Sequence, residues 1–213
     1  MQTTKTLICL PCMDTFPTAT VKSIVSLQKY DDTAFAWAQG TLIHIAREQL
    51  ADAAMNAMPE DGWTLWLDSD MTFPPDTLKR MIETAEQNRF KMLSAVYYRR
   101  KPPYTPVLFE KLDIDYETGL CKAADTMADY PSEIFETQGV GFGCFLVHTQ
   151  VFRMVRQKFG NCFVPIGLNS EDTSFCWKAR KCGYKIMADP GLDVGHIGQF
   201  IYGKETLKHA KQT

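Results

Sequence analysis

Asp68 and Asp70 stand directly after the apolar run Trp63-Thr-Leu-Trp-Leu67. In an extended segment, side chains at i and i+2 point the same way. A strand ending in Asp68-Ser69-Asp70 therefore aims two carboxylates at one point. Converging anions repel unless a cation or proton lies between them, and hard oxygen donors favour Mg²⁺ or Mn²⁺. Asp and Ser also suit turns, so a loop cap would account for the same residues. A second acidic pair, Glu171 and Asp172, follows Ser170. With Ser170 as N-cap, both acids fall in the first turn of a helix, where the dipole favours them. The chemical alternative is a general base, which must lie within hydrogen-bond reach of the hydroxyl it deprotonates. His196 lies in Asp193-Val-Gly-His-Ile-Gly198. Its flanking glycines allow close backbone approach, and imidazole suits Mn²⁺-like ions; a hydrogen-bonded structural histidine is the plainer reading. Arg47 sits among apolar residues, where an arginine stem can cover a core while its head stays in water.

The surrounding sequence alternates strand and helix. Thr6 to Pro11 reads as a buried strand, and Val21, Ile24 and Val25 mark a helix face. Thr33 to Ala38 is a second strand, followed by a long helix through Leu42, Ala46, Leu50 and Ala57 that Pro59 ends. After the strand at Trp63–Leu67, Pro74-Pro75 opens a helix where proline is best tolerated. Lys91 to Tyr97 is a fourth strand. This alternation predicts an α/β fold with a mostly parallel sheet covered by helices. Ligands on such sheets lie beyond the carboxyl ends of the strands. Asp14, Gln39, Asp68 with Asp70, and Arg99 with Arg100 should then gather along one edge.

Residues 98–138 break the pattern. Val107 to Glu110 and Leu120 to Ala123 are set to pair as a hairpin across Glu117-Thr-Gly119. Ala123 to Ser132 reads as a mobile loop. Glu133 to Gln138 and Cys144 to Val147 are strand candidates. Val151, Phe152 and Val155 mark a helix, and another runs from Ser170 to Lys181. Lys185 to Ala188 is a last strand, before a tail rich in Gly, Lys and His.

The chain has 213 residues and a net charge of −2. That length suits one domain, able to bury about 70% of its unfolded surface without disulfides or metals. The charge provides no global field demanding nucleic acid or anionic membrane, although a local basic patch is compatible with it. The longest apolar or glycine run, Gly139 to Val147, falls well short of the roughly 20 residues of a membrane span. The first residues carry no secretory pattern. Seven cysteines without an export signal point to reduced thiols and a cytoplasmic protein. Cys9-Leu-Pro-Cys12 has redox spacing, but Cys9 lies within an apolar strand, where a buried thiol is the ordinary case.

Taken in order, strand-Asp68-Ser69-Asp70, helical Glu171-Asp172 and late His196 resemble the glycosyltransferases of the GT-A fold, in particular the small family-two-like enzymes of bacteria and phages. The resemblance spans roughly residues 5–203 and includes Gly139-Val-Gly-Phe-Gly-Cys-Phe-Leu-Val. It implies a Rossmann-like domain, with a nucleotide-sugar-binding half over about residues 1–98, an acceptor-side half over about 99–203 and a basic tail at 204–213. It implies a nucleotide-diphosphate sugar donor and Mn²⁺ or Mg²⁺ held by Asp68, Asp70 and His196. Pro11, Cys12, Met13 and Asp14 match the loop that holds the nucleoside, and Arg47 a donor-contacting arginine; Ser69 lies between the metal-binding acids. Asp172, beside Glu171, matches the acid that deprotonates the acceptor in inverting members. Arg99, Lys101 and Lys204 would add positive potential, and Tyr202 and Lys204 fall where a donor lid is often found. The second strand lacks the acidic pair that often reads the base. An acceptor of the related phage enzymes is hydroxymethylated pyrimidine in DNA; a glycan or lipid-linked acceptor fits equally.

Two rival functions use the same residues. In a haloacid-dehalogenase-like phosphatase, Asp68 would be the nucleophile and Asp70 the acid/base, but that family needs a Ser or Thr ending the next strand, and Ser94 falls inside it. A nucleotide-sugar-binding module without activity is the second rival.

Overall fold

A computed structural model of the chain describes residues 5–198; Tyr202, Lys204, Lys208 and Lys211, singled out in the sequence, lie outside the described residues. The elements run β1 (Thr6–Cys12), α1 (Thr18–Ser26), β2 (Thr33–Gln39), α2 (Ile43–Ala57), β3 (Trp63–Leu67), β4 (Met71–Thr72), α3 (Thr77–Asn88), β5 (Met92–Ala95), β6 (Leu108–Ile114), β7 (Cys121–Thr126), β8 (Phe135–Thr137), β9 (Gly139–Val140), β10 (Cys144–His148), α4 (Thr149–Phe159), α5 (Glu171–Lys181), β11 (Ile186–Asp189) and β12 (Gly195–His196).

A seven-stranded sheet in the order β2-β1-β3-β10-β5-β11-β8 forms the centre. Strands β2, β1 and β3 are parallel, as are β5 and β11. Between these groups β10 runs antiparallel to both β3 and β5, and β8 runs antiparallel to β11 at the edge. The sheet is therefore mixed but mostly parallel. The strands β1, β3, β5 and most of β10 are buried on both faces, which explains their continuous apolar runs. One core layer lies around Trp66, Phe142, Phe145, Phe152, Phe163 and Phe175. The other packs Leu65, Leu67, Met71, Leu78, Met81 and Leu146 beneath α3. At about 1.5–3 kcal/mol per fully buried large side chain, these layers supply most of the drive to fold. Among the described residues, no helix is long and apolar enough to cross a membrane.

Several expectations are corrected. Helix α3 begins at Thr77, two residues beyond Pro75; the prolines instead form a preceding turn in which Pro74 O accepts from Thr77 N and Oγ1 at 3.2 and 2.8 Å. The hairpin forms as β6 and β7, but β7 extends to Thr126, so much of the expected loop from Ala123 is strand. Asp68-Ser69-Asp70 is a turn, closed by Met71 N donating to Asp68 O at 3.2 Å, and not an extended segment. The alternation argument for parallel carboxylates therefore does not hold there. Ser170 occupies the N-cap position of α5, but its hydroxyl bonds Asp172 and Thr173 Oγ1 rather than a backbone N–H.

Candidate active site

The turn after β3 faces the start of α5 across a cavity of about 420 Å³. Pro11, Cys12, Met13, Arg47, Asp68, Ser69, Asp70, Glu171, Asp172 and His196 all line it, together with Arg100. Six separate stretches of chain thus meet at the carboxyl end of β1 and β3, where this kind of sheet binds ligands. Arg99, Lys101 and Asp14 are not brought into it. Lys101 borders an adjoining cavity shared with Asp70 and Arg100, and Arg99 another shared with His196. The Asp14 carbonyl accepts from Gln39 Nε2 at 3.4 Å, so the ends of β1 and β2 do meet.

Arg47 ties the site together. It is 3% exposed and therefore not a surface arginine. Its Nη2 donates to Asp68 Oδ1 at 2.9 Å and its Nε to Glu171 Oε1 at 3.2 Å. Its guanidinium carbon lies 4.9 Å from the centre of the Phe142 ring, a cation–π contact. Burial would weaken its proton, but Asp68 and Glu171 outweigh that and hold it charged. Its Nη1 is buried with no hydrogen-bond partner.

Asp70 faces a different set. Its Oδ2 accepts from Arg100 Nη1 at 2.6 Å and lies 3.5 Å from His196 Nε2. His196 Nδ1 meets the carbonyl oxygen of Tyr98 at 2.8 Å. A carbonyl only accepts, so Nδ1 carries a proton and Nε2 is turned toward Asp70. Burial is the largest influence on both and opposes charge, but their hydrogen bond to each other together with the neighbouring groups outweighs it; Asp70 lies below the usual carboxylate range and His196 above the usual imidazole one.

The general-base candidate is Asp172. Its Oδ1 accepts from Ser170 Oγ and from Thr173 N, the latter at 2.7 Å. Its other oxygen has no protein partner among the described residues. Burial, then the neighbouring charge of Glu171, raises its affinity for a proton, the direction a general base requires. The first turn of α5 is held from below. Lys178 is 1% exposed, and its Nζ donates to Asn161 Oδ1 at 2.5 Å and Val164 O at 2.8 Å. That fixes the loop leading into Glu171.

The sequence reading placed Arg100 on the ligand edge of the sheet but gave the site role to Arg99 and Lys101, and it missed Tyr97. Tyr97 is buried; its hydroxyl accepts from Gly143 N at 3.1 Å, and its ring meets that of His196 edge-on at 5.3 Å. A Cβ on Gly143 would lie 2.7 Å from Tyr97 Cζ. The glycine run after Gln138 is thus room for the Tyr97 ring, which backs the site. A tyrosine ending a strand beside a glycine run was the available signal.

The donor set fits a hard divalent cation. Asp70 offers carboxylate oxygen and His196 offers Nε2 toward the same point, with the second ring nitrogen oriented by a carbonyl, as metal-binding histidines require. Asp68 instead gives Oδ1 to Arg47. Among the described residues no cluster of three or more His, Cys, Asp or Glu forms a complete cage. Phosphate oxygens and water would complete such a site, the usual arrangement for Mg²⁺.

The family model described as Glycosyl transferase family 2 matches residues 33–141, just over half of the chain. The chain belongs to glycosyl transferase family 2. It is accordingly a glycosyltransferase with a GT-A fold. The matched region carries Arg47, Asp68 and Asp70 but not Glu171, Asp172 or His196, so those three rest on geometry. A solved structure described as A197 from STIV is similar, with a TM-score of 0.67 and 16% identity, over 92% of this chain and 86% of that one. Another, GalNAc-T7 with UDP, GalNAc and Mn²⁺, has a TM-score of 0.58 and 12% identity. The match covers 92% of this chain but 44% of that one. At these identities the two likenesses show the fold alone. No curated protein matches the chain at a significant level.

Proposed function

We propose that this glycosyltransferase moves a sugar from a nucleotide-diphosphate sugar to an acceptor hydroxyl, with inversion and with help from Mn²⁺ or Mg²⁺. The observation that carries this reading is the single cavity into which Asp70, Asp172 and His196 converge from three parts of the chain. Asp70 and His196 would hold the cation. When bound, it would act as a Lewis acid on the leaving diphosphate. Four carboxylates and two guanidiniums line the cavity. An anionic diphosphate entering it needs added positive charge, which supports cation dependence. The cradle for the nucleoside is Pro11, Cys12 and Met13, and Arg47 lines the same cavity. Asp172 would accept the acceptor's proton as its oxygen attacks the anomeric carbon opposite the leaving group. No second carboxylate is free to act as a covalent nucleophile, since Asp68 and Glu171 are both tied to Arg47. That favours a single inverting displacement.

The GalNAc-T7 structure contains a nucleoside diphosphate, a sugar and Mn²⁺, which is consistent with this assignment of chemistry. The phosphatase reading is weakened because Ser94 is buried within β5 and spends its hydroxyl on Ala95 O at 2.9 Å. The acceptor is a glycan or a hydroxymethylated pyrimidine in DNA. Arg99 and Lys101 have no ion pair among the described residues, so a DNA acceptor predicts transfer that falls steeply with added salt. The deciding test is turnover of a panel of nucleotide sugars with and without Mn²⁺. Nucleoside diphosphate released only with Mn²⁺ supports the reading. Binding without turnover would favour an inactive module, and phosphate release from phosphomonoesters the phosphatase.

A further inference from the structure

We propose that Arg100 is a built-in counter-ion that fills the cation position at Asp70 until a donor diphosphate draws it away. This rests on reading the cavity as a donor site. The oxygen that Arg100 Nη1 contacts, Asp70 Oδ2, is the one that faces His196 Nε2. The point where the two ligand candidates meet is therefore already supplied with positive charge. A divalent ion placed there would lie beside a guanidinium, and like charges at a few ångströms repel. Metal alone should bind poorly while Arg100 stays.

The two arginines of the cavity differ in how firmly they are held. Arg47 has a side chain 4% exposed and bonds two carboxylates. The Arg100 side chain is 50% exposed and bonds one. Its guanidinium makes one further contact among the described residues, Nη1 to Ile197 O at 3.4 Å. Release uncovers no buried ion. It also needs no loop refolding, because Arg99 N to Thr105 O, Val107 N to Tyr97 O and Tyr104 N to Lys101 O, each 2.9 Å, hold the backbone of that segment. Cavities of about 430 and 350 Å³ flank Arg100 and give the side chain space to swing. A diphosphate offers the guanidinium a bidentate anionic partner better than one carboxylate oxygen. Taking it, Arg100 frees Asp70. Metal and diphosphate then bind cooperatively, each promoting the other by the same factor.

The test is Mn²⁺ binding to the full chain by equilibrium dialysis, read as Mn²⁺ retained with the protein at matched free Mn²⁺, with and without inorganic pyrophosphate. Wild type, Arg100→Gln, Arg100→Lys and Asp70→Ala are compared. Without pyrophosphate, Arg100→Gln should bind Mn²⁺ about two- to fivefold more tightly than wild type, the scale of one partly exposed charge pair. Arg100→Lys keeps the charge and should stay near wild type. With pyrophosphate, wild type should gain Mn²⁺ affinity and Arg100→Gln should gain less. Arg100→Gln binding no tighter than wild type, or Arg100→Lys behaving like Arg100→Gln, overturns the counter-ion role while leaving the donor site intact if pyrophosphate still promotes binding lost in Asp70→Ala. Absence of Mn²⁺ binding by every variant in both conditions overturns the role together with the cation reading of the cavity.

Discussion

The two ends of the central sheet treat polar groups in opposite ways. At the end where β3 begins, Thr149 Oγ1 accepts from Gly62 N at 2.9 Å and donates to Asp61 Oδ1 at 3.2 Å. Arg153 donates to the same carboxylate at 3.1 Å and caps the last turn of α2 through Met55 O at 2.8 Å and Met58 O at 2.5 Å. Thr149 N returns a bond to Gly62 O at 2.9 Å. These groups spend their hydrogen-bonding capacity on one another. At the other end, where β3 stops, Arg47 Nη1 is buried without a partner. Four carboxylates there line one cavity. Unmet capacity is costly to bury, about 1–3 kcal/mol per group. The convergence of four carboxylates marks that end as the place where a cation or ligand completes the structure; the opposite end carries unmet groups of its own, since both oxygens of Asp32, just before β2, are buried without a partner.

This contrast can be broken by substitution. The largest effect is expected for Asp172→Asn, which should reduce transfer by about 10²–10⁴-fold, the usual value of a general base. Thermal stabilisation by Mn²⁺ and diphosphate should survive it. Transfer that persists would move the base elsewhere. Next comes Arg47→Met, which leaves Asp68 and Glu171 facing each other without their shared cation. Breaking a buried pair costs about 3–5 kcal/mol, measurable by urea unfolding; a loss under ~1 kcal/mol would mean that water replaces the arginine. At the opposite end, Thr149→Val strands Gly62 N and should cost about 1–3 kcal/mol, with diphosphate binding unchanged. A change in binding there would undo the division of labour.

The smallest effect concerns pH. His148 Nδ1 accepts from Gln150 N at 3.4 Å at the start of α4, which only a neutral ring can do. Burial, then nearby Lys91, pushes its pKa from 6.5 down to about 4. Between these values the unfolded chain binds the extra proton, so stability falls as pH drops from 6.5 to 4 and levels off below. His148→Asn, which keeps a capping side chain, should flatten that part of a stability–pH curve. An unchanged slope would assign it to other groups.

Much of this arrangement was legible in the residues themselves. Apolar runs bounded by turn residues located β1, β3, β5 and β10 because their burial on both faces leaves a one-dimensional trace, and the edge strand β2 was located by its β-prone run between turn residues. The carboxylates ending β3 and the acids opening α5 were visible for the same reason, since element ends can be read from a sequence. What was not legible was pairing in space. Nothing local in Cys144–His148 says that it enters antiparallel between β3 and β5. Arg99 and Lys101 looked as suitable as Arg100, yet in the folded chain it is Arg100 that reaches Asp70. The glycines at 141 and 143 entered the sequence reading only as part of a family-like segment, and in the fold they leave space for Tyr97. Arg47 looked like a surface residue because the charges it neutralises lie 21 and 124 positions away.

The central claim is that Asp70 anchors a cation that bridges protein and donor. It is tested most directly by a thermal-shift screen of nucleoside diphosphates, with and without Mn²⁺, on wild type and Asp70→Ala. The account predicts at least one diphosphate that raises the wild-type Tm only with Mn²⁺, and no such rise in Asp70→Ala. An equal rise in Asp70→Ala, or no Mn²⁺-dependent rise with any diphosphate in wild type, would contradict it.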